Sequence, residues 1–226
     1  MLDVHPPHHA VHAWRDFFIH IATIVIGLCI AVGIEQTVEF FHHRHQLHKA
    51  EEALHDEGVT NRSIVDVGLS RIDTARQAIQ ANMAELDPEA PPNPAKTPRL
   101  VPYTSDTYIF MVSDSAWLSM RDSDLLPLVP PEVAHRYWKL DYTHHLIVDD
   151  NENIGRQREV VESLLHLHKD LATLSPTQRE ALFLAFSRLD QALVEMRVRL
   201  TIFRAVNDLA MSGKTLDADG FNTLTK

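Results

Sequence analysis

Imidazoles dominate the reactive inventory of this chain. Fifteen histidines occur among its 226 residues, against a single cysteine, Cys29. His42, His45, His48, Glu52 and His55 recur at spacings of three and four, so on a helix His42, His45, Glu52 and His55 share one broad face, with His48 at its edge. Such a set offers nitrogen and oxygen donors to zinc, nickel or copper. The preferred reading is a pH-dependent cationic collar beside lipid headgroups, because neither a fixed ligand set nor a tight spacing motif is present. His5, His8, His9 and His12 in the N-terminal tail are read the same way. Adjacent residues do not share a helix face, which sets aside His144 with His145 and the neighbouring His166, Leu167 and His168.

Other chemical signals are weaker. Thr215, Asp217, Asp219 and Gly220 resemble the opening of a calcium loop, but Thr215 replaces the first carboxylate and Lys226 occupies the place of the final glutamate. Asp149, Asp150 and Glu152 read as a solvated helix face rather than a general acid and base pair. The chain has no phosphate loop, nucleophile elbow or CxxC pair, so no enzyme activity and no cofactor are expected. Thirty-one acids against 21 bases, a formal charge of -10, argue against nucleic acid as a partner. With one cysteine there is no internal disulfide framework.

The elements that must carry these residues begin with an apolar run. Phe17 to Ile34 is 18 residues long, which at the rise of an α-helix makes about 27 Å, close to the hydrocarbon thickness of a bilayer. Trp14 and Arg15 mark the membrane interface at one end, and Glu35, Glu39 and the histidines after Phe41 mark the return to water at the other. A buried core helix of this length would show a polar face. A cleaved export signal would have a shorter apolar stretch and a better cleavage site than Ala31-Val32-Gly33, so an uncleaved anchor is expected. Arg15 flanks one end of the span while Arg44 and Lys49 flank the other, so charge codes the orientation weakly. The short tail before the anchor points to a cytoplasmic N-terminus and an extracytoplasmic C-terminal domain.

Within the span, Thr23, Gly27 and Ala31, continued by Glu35, repeat every four residues and form a small-residue stripe able to seat a second helix. His20 lies in the first turn inside the boundary, one turn after Asp16, and is read as snorkelling with a local pairing.

Beyond the membrane the periodicity is helical. Val65, Ile72, Ile79 and Leu86 repeat every seven residues, with Leu69, Ala75 and Met83 on the same side. The anchor is expected to run straight into this helix, with a bend near Gly58. Asp87 to Pro102 contains six of the 12 prolines and reads as a surface connection. Ser113 or Asp114 caps a short helix carrying Ala116, Trp117 and Met120, with Leu125 continuing its apolar set. Leu140, Ile147, Ile154 and Val161 form the next seam, with Tyr137, His144, Asn151, Arg158 and Leu165 at the companion positions. Polar companions either specify register or face solvent beside a narrow apolar stripe, and the second reading is preferred. Ser175-Pro176-Thr177-Gln178 is a helix start signal. Leu182, Phe186, Leu189, Leu193, Met196, Leu200, Phe203, Asn207 and Ala210 then alternate spacings of four and three before Gly213. The expected fold is all-α: an N-terminal transmembrane helix continuing into an elongated antiparallel bundle of long helices. The divisions are a flexible tail at 1–13, an anchor at 14–41, a membrane-proximal helix at 42–86, a proline-rich connection at 87–112, the rest of the bundle at 113–212 and a C-terminal tail at 213–226.

Trp14-Arg15-Asp16-Phe17-Phe18, then Thr23 to Leu28, Glu35 and His42-His43-Arg44-His45 resemble the start of a group of uncharacterised bacterial single-pass membrane proteins. Ser115-Ala116-Trp117 and Pro131-Glu132-Val133, leading to Tyr137 and Leu140, are similar to the soluble part of that group. Arg121 to Asp124 depart from it, where small residues with a glycine would be expected. The resemblance implies a membrane-anchored helical domain of unassigned activity, and the bacterial inner membrane is the expected location. The expected function is therefore structural or protein-binding at the cell envelope, with the lipid bilayer, another copy or another envelope protein as partner. The alternative is a metal- or pH-responsive sensor using the membrane-proximal histidines.

Overall fold

The computed structural model of the chain describes residues 13–89, 99–102, 111–168 and 171–212. They form four α-helices: α1 (Ala13–Leu86), α2 (Ser115–Arg121), α3 (Pro131–Leu167) and α4 (Pro176–Ser212). Short 3-10 turns occur at Leu126–Leu128 and Leu171–Thr173, and there is no strand among the described residues, in keeping with the expected all-α class. The N-terminal histidine cluster, most of the proline-rich connection and the calcium-like loop lie outside the described residues. The chain divides into two compact units, residues 1–49 and 50–226.

In the first unit, residues 14–41 of α1 are exposed without exception. An apolar core helix would bury much of this surface, and this one buries none of its most apolar window. Three of its polar side chains turn back on their own helix. Thr23 Oγ1 donates to Ile19 O at 2.8 Å, Thr37 Oγ1 donates to Gly33 O at 2.7 Å, and His20 Nδ1 lies 3.2 Å from Asp16 O. The local pairing expected for His20 is thus to a backbone carbonyl. This is how a helix satisfies polar groups where no water is at hand. Trp14, Phe17 and Phe18 cluster at one end of the apolar stretch, and Phe40 and Phe41 at the other. The helix is a weak candidate membrane span by length and composition.

In the second unit, α1 continues unbroken through Gly58 and begins to pack at Leu54. From there its buried positions alternate by four and three: 54, 58, 61, 65, 68, 72, 75, 79, 82 and 86. Val65, Ile72, Ile79 and Leu86 are fully buried as their spacing predicts. The other half of the seam is Leu54, Asn61, Gly68, Ala75 and Asn82, whereas Leu69 and Met83 are only partly buried. Ile147, Ile154 and Val161 of α3 and every seam residue from Leu182 to Ala210 of α4 are buried as expected. The companion positions of α3, from Tyr137 to Leu165, are half-buried rather than solvent-facing.

Charge sets the antiparallel register of α1 and α4. Arg62 pairs with Asp208, Asp66 with Arg204, Asp73 with Arg197 and Arg76 with Asp190, each at 2.9–3.0 Å. As one helix is climbed the other is descended, and the signs run basic, acidic, acidic, basic on α1 against their complement on α4. A slip of one heptad would oppose Asp73 to Asp190. Exposed pairs of this kind contribute about 0.2–1 kcal/mol each, so their main effect is on register rather than stability. Arg76 and Asp190 differ, being bidentate and largely buried.

The start of α4 is the capping box the sequence signals. Gln178 N donates to Ser175 Oγ, and Ser175 N donates to Gln178 Oε1 at 2.8 Å. The start of α2 is different. Asp114 stands at the cap position but makes no side-chain capping bond. Instead Glu57, reaching across from α1, accepts from Ser113 Oγ at 2.5 Å, Ser115 Oγ at 2.8 Å and Ala116 N at 3.2 Å. Ser113 Oγ accepts from Ser115 N at 3.2 Å. With the capping work divided between Glu57 and Ser113, the Asp114 carboxylate is free to face α3.

Candidate functional site

Backbone anchorage comes first. Asn61 holds Ser113 by both edges of its amide, Nδ2 donating to Ser113 O at 2.7 Å and Oδ1 accepting from Ser113 N at 2.8 Å. Together with Glu57 this fixes the turn that carries Asp114. From that turn, Asp114 Oδ2 meets His144 Nδ1 at 2.9 Å. Asp141, His144 and His145 follow one another at i, i+3 and i+4 on α3, so both imidazoles flank the azimuth of Asp141. His145 Nδ1 donates to Asp141 O at 2.8 Å and lies 3.6 Å from Asp141 Oδ1. Asp114, His144 and His145 each bring one ligand atom within 4.8 Å of the others.

Asp141 is the most buried member, 9% exposed, and its Oδ1 has no hydrogen-bond partner. Burial pushes its carboxyl above the usual range, and a hydrogen bond with Asp114 pushes it the same way. Arg121 Nη1 approaches the other oxygen only to 3.8 Å. His145 titrates above the usual imidazole value, chiefly through its hydrogen bond to Asp141 and further through the charges of Asp141 and Asp114. The arrangement can share a proton between carboxylates or hold a cation between carboxylate and imidazole donors.

A small cavity of about 20 Å³ adjoins the site, lined among others by Glu57, Asn61, Asp114, Trp117, Tyr137 and Asn207. It is the size of one water molecule. The indole of Trp117 stacks on Tyr137 with ring centroids 5.8 Å apart, and burial raises the Tyr137 phenol above its usual value. On the outer side of α3, His135, Trp138 and Tyr142 form an exposed file of stacked rings.

The site residues expected from sequence are arranged differently. His42, His45, His48, Glu52 and His55 are exposed on α1. Thr23, Gly27 and Ala31 are exposed in the apolar stretch, and a Cβ built on Gly27 meets nothing within 4 Å. Trp14 and Arg15 are exposed at its start. Asp149 and Glu152 face solvent as expected, but Asp150 is half-buried, 3.5 Å from Arg199 of α4.

The dismissal of His144 and His145 is corrected by the structure. Adjacent residues do point apart on a helix, but Asp114 enters from another segment and lies within reach of both. The available signal was the i, i+3, i+4 spacing of Asp141, His144 and His145, together with a histidine at a seam position. Comparison of the chain with protein-family models, with characterised proteins and with solved structures gives no match.

Proposed function

We propose that the chain is a single-pass anchored protein of the bacterial inner membrane, with its N-terminus in the cytoplasm and a helical unit outside. That unit serves a structural or protein-binding role for another copy or another envelope protein, without catalysis. The observation that carries this reading is the contrast along α1. Residues 17–34 are apolar almost all round the helix and residues 14–41 bury nothing, while from Leu54 the same helix packs through a regular seam. A helix that is apolar all round needs a hydrocarbon environment or a protein core. The resemblance to bacterial single-pass proteins supports the placement, and the exposed ring file of α3 supports the recruiting role.

The test is fractionation of the full chain made in a bacterium, with Cys29→Ala and Ser163→Cys leaving one thiol on the exposed face of α3. The chain should resist alkaline carbonate extraction, and the thiol should react with a membrane-impermeant maleimide in intact spheroplasts. Release by carbonate overturns the anchor. Labelling only after lysis reverses the orientation. Affinity purification in mild detergent should then yield a stoichiometric protein partner or a self-associated species, and a bare monomer would remove the binding role.

A further inference from the structure

We propose that Asp114, His144 and His145, completed by Asp141, form a binding site for a divalent transition cation of the zinc class. The inference is independent of the membrane reading, since every ligand belongs to the second unit. It rests on the gathering of two imidazoles and a carboxylate within 4.8 Å and on the buried Asp141 oxygen that has no hydrogen-bond partner.

Donor chemistry favours this class. Two nitrogens and two carboxylates suit zinc and its neighbours better than calcium or magnesium, which take oxygen alone. Donors at zinc–nitrogen and zinc–oxygen bond lengths in a tetrahedron stand about 3.3 Å apart. The His144–Asp114 pair at 2.9 Å lies near that spacing, and His145, whose Nδ1 is engaged by the Asp141 carbonyl, offers Nε2. Two of the four are held firmly. Asp114 sits on a turn fixed by Glu57 and Asn61, and Asp141 is buried on α3. His145 is the adaptable ligand, its side chain 67% exposed, so its torsions are free to close the remaining distance.

The electrostatics call for a cation. Asp114 and Asp141 are both largely buried, and each lies against an imidazole of the pair His144 and His145. Two carboxylates so desolvated, beside the same pair of imidazoles, need a shared proton or a positive charge. The guanidinium of Arg121 stops at 3.8 Å and is partly exposed. A metal held here would tie the α2 turn to α3.

The experiment titrates the full-length chain, purified in detergent, with cobalt(II), whose visible absorption is intense only in tetrahedral-type coordination, followed by competition with zinc. One cobalt per chain is expected. His145→Ala removes an exposed ligand without opening the core, and Asp114→Asn keeps its volume. Each should weaken cobalt binding by about tenfold or more. The double variant His42→Ala/His45→Ala should leave the spectrum and affinity unchanged. Far-UV circular dichroism of His145→Ala should match the parent, separating ligand loss from unfolding. Absence of tetrahedral absorption in the full chain, or absorption that survives His145→Ala, overturns the site.

Discussion

Two stretches of one helix, residues 14–41 and 54–86 of α1, solve opposite problems. Both are helical and both are rich in apolar side chains, but the first distributes them around the axis while the second confines them to positions four and three apart. A helix is therefore no guide to its solvent. The angular distribution of its side chains is. All-round apolarity leaves no face for water, whereas a stripe leaves three quarters of the surface for charges such as Arg62, Asp66, Asp73 and Arg76, which then find α4.

The sharpest way to break the comparison is to remove the same side chain from each stretch. Ile72 is fully buried in the main core and Ile26 is exposed. Ile72→Ala should cost about 2–5 kcal/mol of bundle stability, from lost transfer energy and the cavity left behind. Ile26→Ala should leave it unchanged. Urea unfolding of both variants in detergent, followed by circular dichroism, checks this. Equal losses would mean that the two stretches share one core.

Glycine gives the next contrast. A Cβ on Gly58 would stand 2.8 Å from Met211 Sδ and 3.3 Å from Asn207 Oδ1, and the Gly58 carbonyl accepts from Asn207 Nδ2 at 2.8 Å. Gly58 is thus a point of close approach between α4 and α1, a packing reason for a residue whose helix propensity alone predicted only a weak point or bend. Met211 is flexible enough to yield to a methyl group, so Gly58→Ala should be nearly neutral. Gly58→Val also crowds Asn207 and should cost about 1–3 kcal/mol. Gly27→Val, with open space around it, should not move the unfolding midpoint, and any effect on self-association would appear only in crosslinking.

These contrasts also show which parts of the fold were legible beforehand. The large-residue seams of α1, α3 and α4 were readable because burial follows a repeat of seven, and the Ser175 to Gln178 cap because its partners are local. The small and polar half of the α1 seam was not. Asn61, Gly68 and Asn82 have the composition of a solvent face, and the two asparagines are met by backbone arriving from elsewhere in the chain. Asn82 holds Val101 as Asn61 holds Ser113, donating to its carbonyl at 3.0 Å and accepting from its N–H at 2.6 Å. A side-chain amide can replace a neighbouring strand for one residue, but no local pattern announces it. The same limit hid the Asp114 site. Its α3 half is written as an i, i+3, i+4 spacing, while the carboxylate that completes it arrives from a turn 30 residues earlier in the chain. Glu57, the cap of α2, lies 59 residues from the N–H it accepts.

Asn82→Ala sharpens this point with a smaller effect. It removes both bonds to Val101, but Val101 is exposed enough for water to replace them. The expected loss is about 1–2 kcal/mol, with faster amide exchange at Val101. Thr23→Val in the first stretch, which removes only a bond to its own helix, should change nothing in the bundle.

The smallest expected effect concerns charge inside the packed unit. Asp150 Oδ2 is buried without a hydrogen bond, 3.5 Å from Arg199 Nε. Burial raises the carboxyl above its usual value even though Arg199 pulls it down, and Glu195 and Asp149 add to the rise. The folded chain therefore binds this proton more tightly than the unfolded chain. Its contribution to stability is complete below the unfolded carboxylate value of about 3.9 and is lost as pH rises through the raised folded value. Asp150→Asn cannot ionise and should flatten that part of the stability profile. At neutral pH the lost attraction to Arg199 opposes the relief of burying a charge, so the change should stay within about 1 kcal/mol. Unfolding midpoints measured from mild acid to neutrality in parent and variant decide it. A variant whose profile stays parallel to the parent would mean that Asp150 is ionised in the fold as readily as in the open chain, and that Arg199, not burial, governs it.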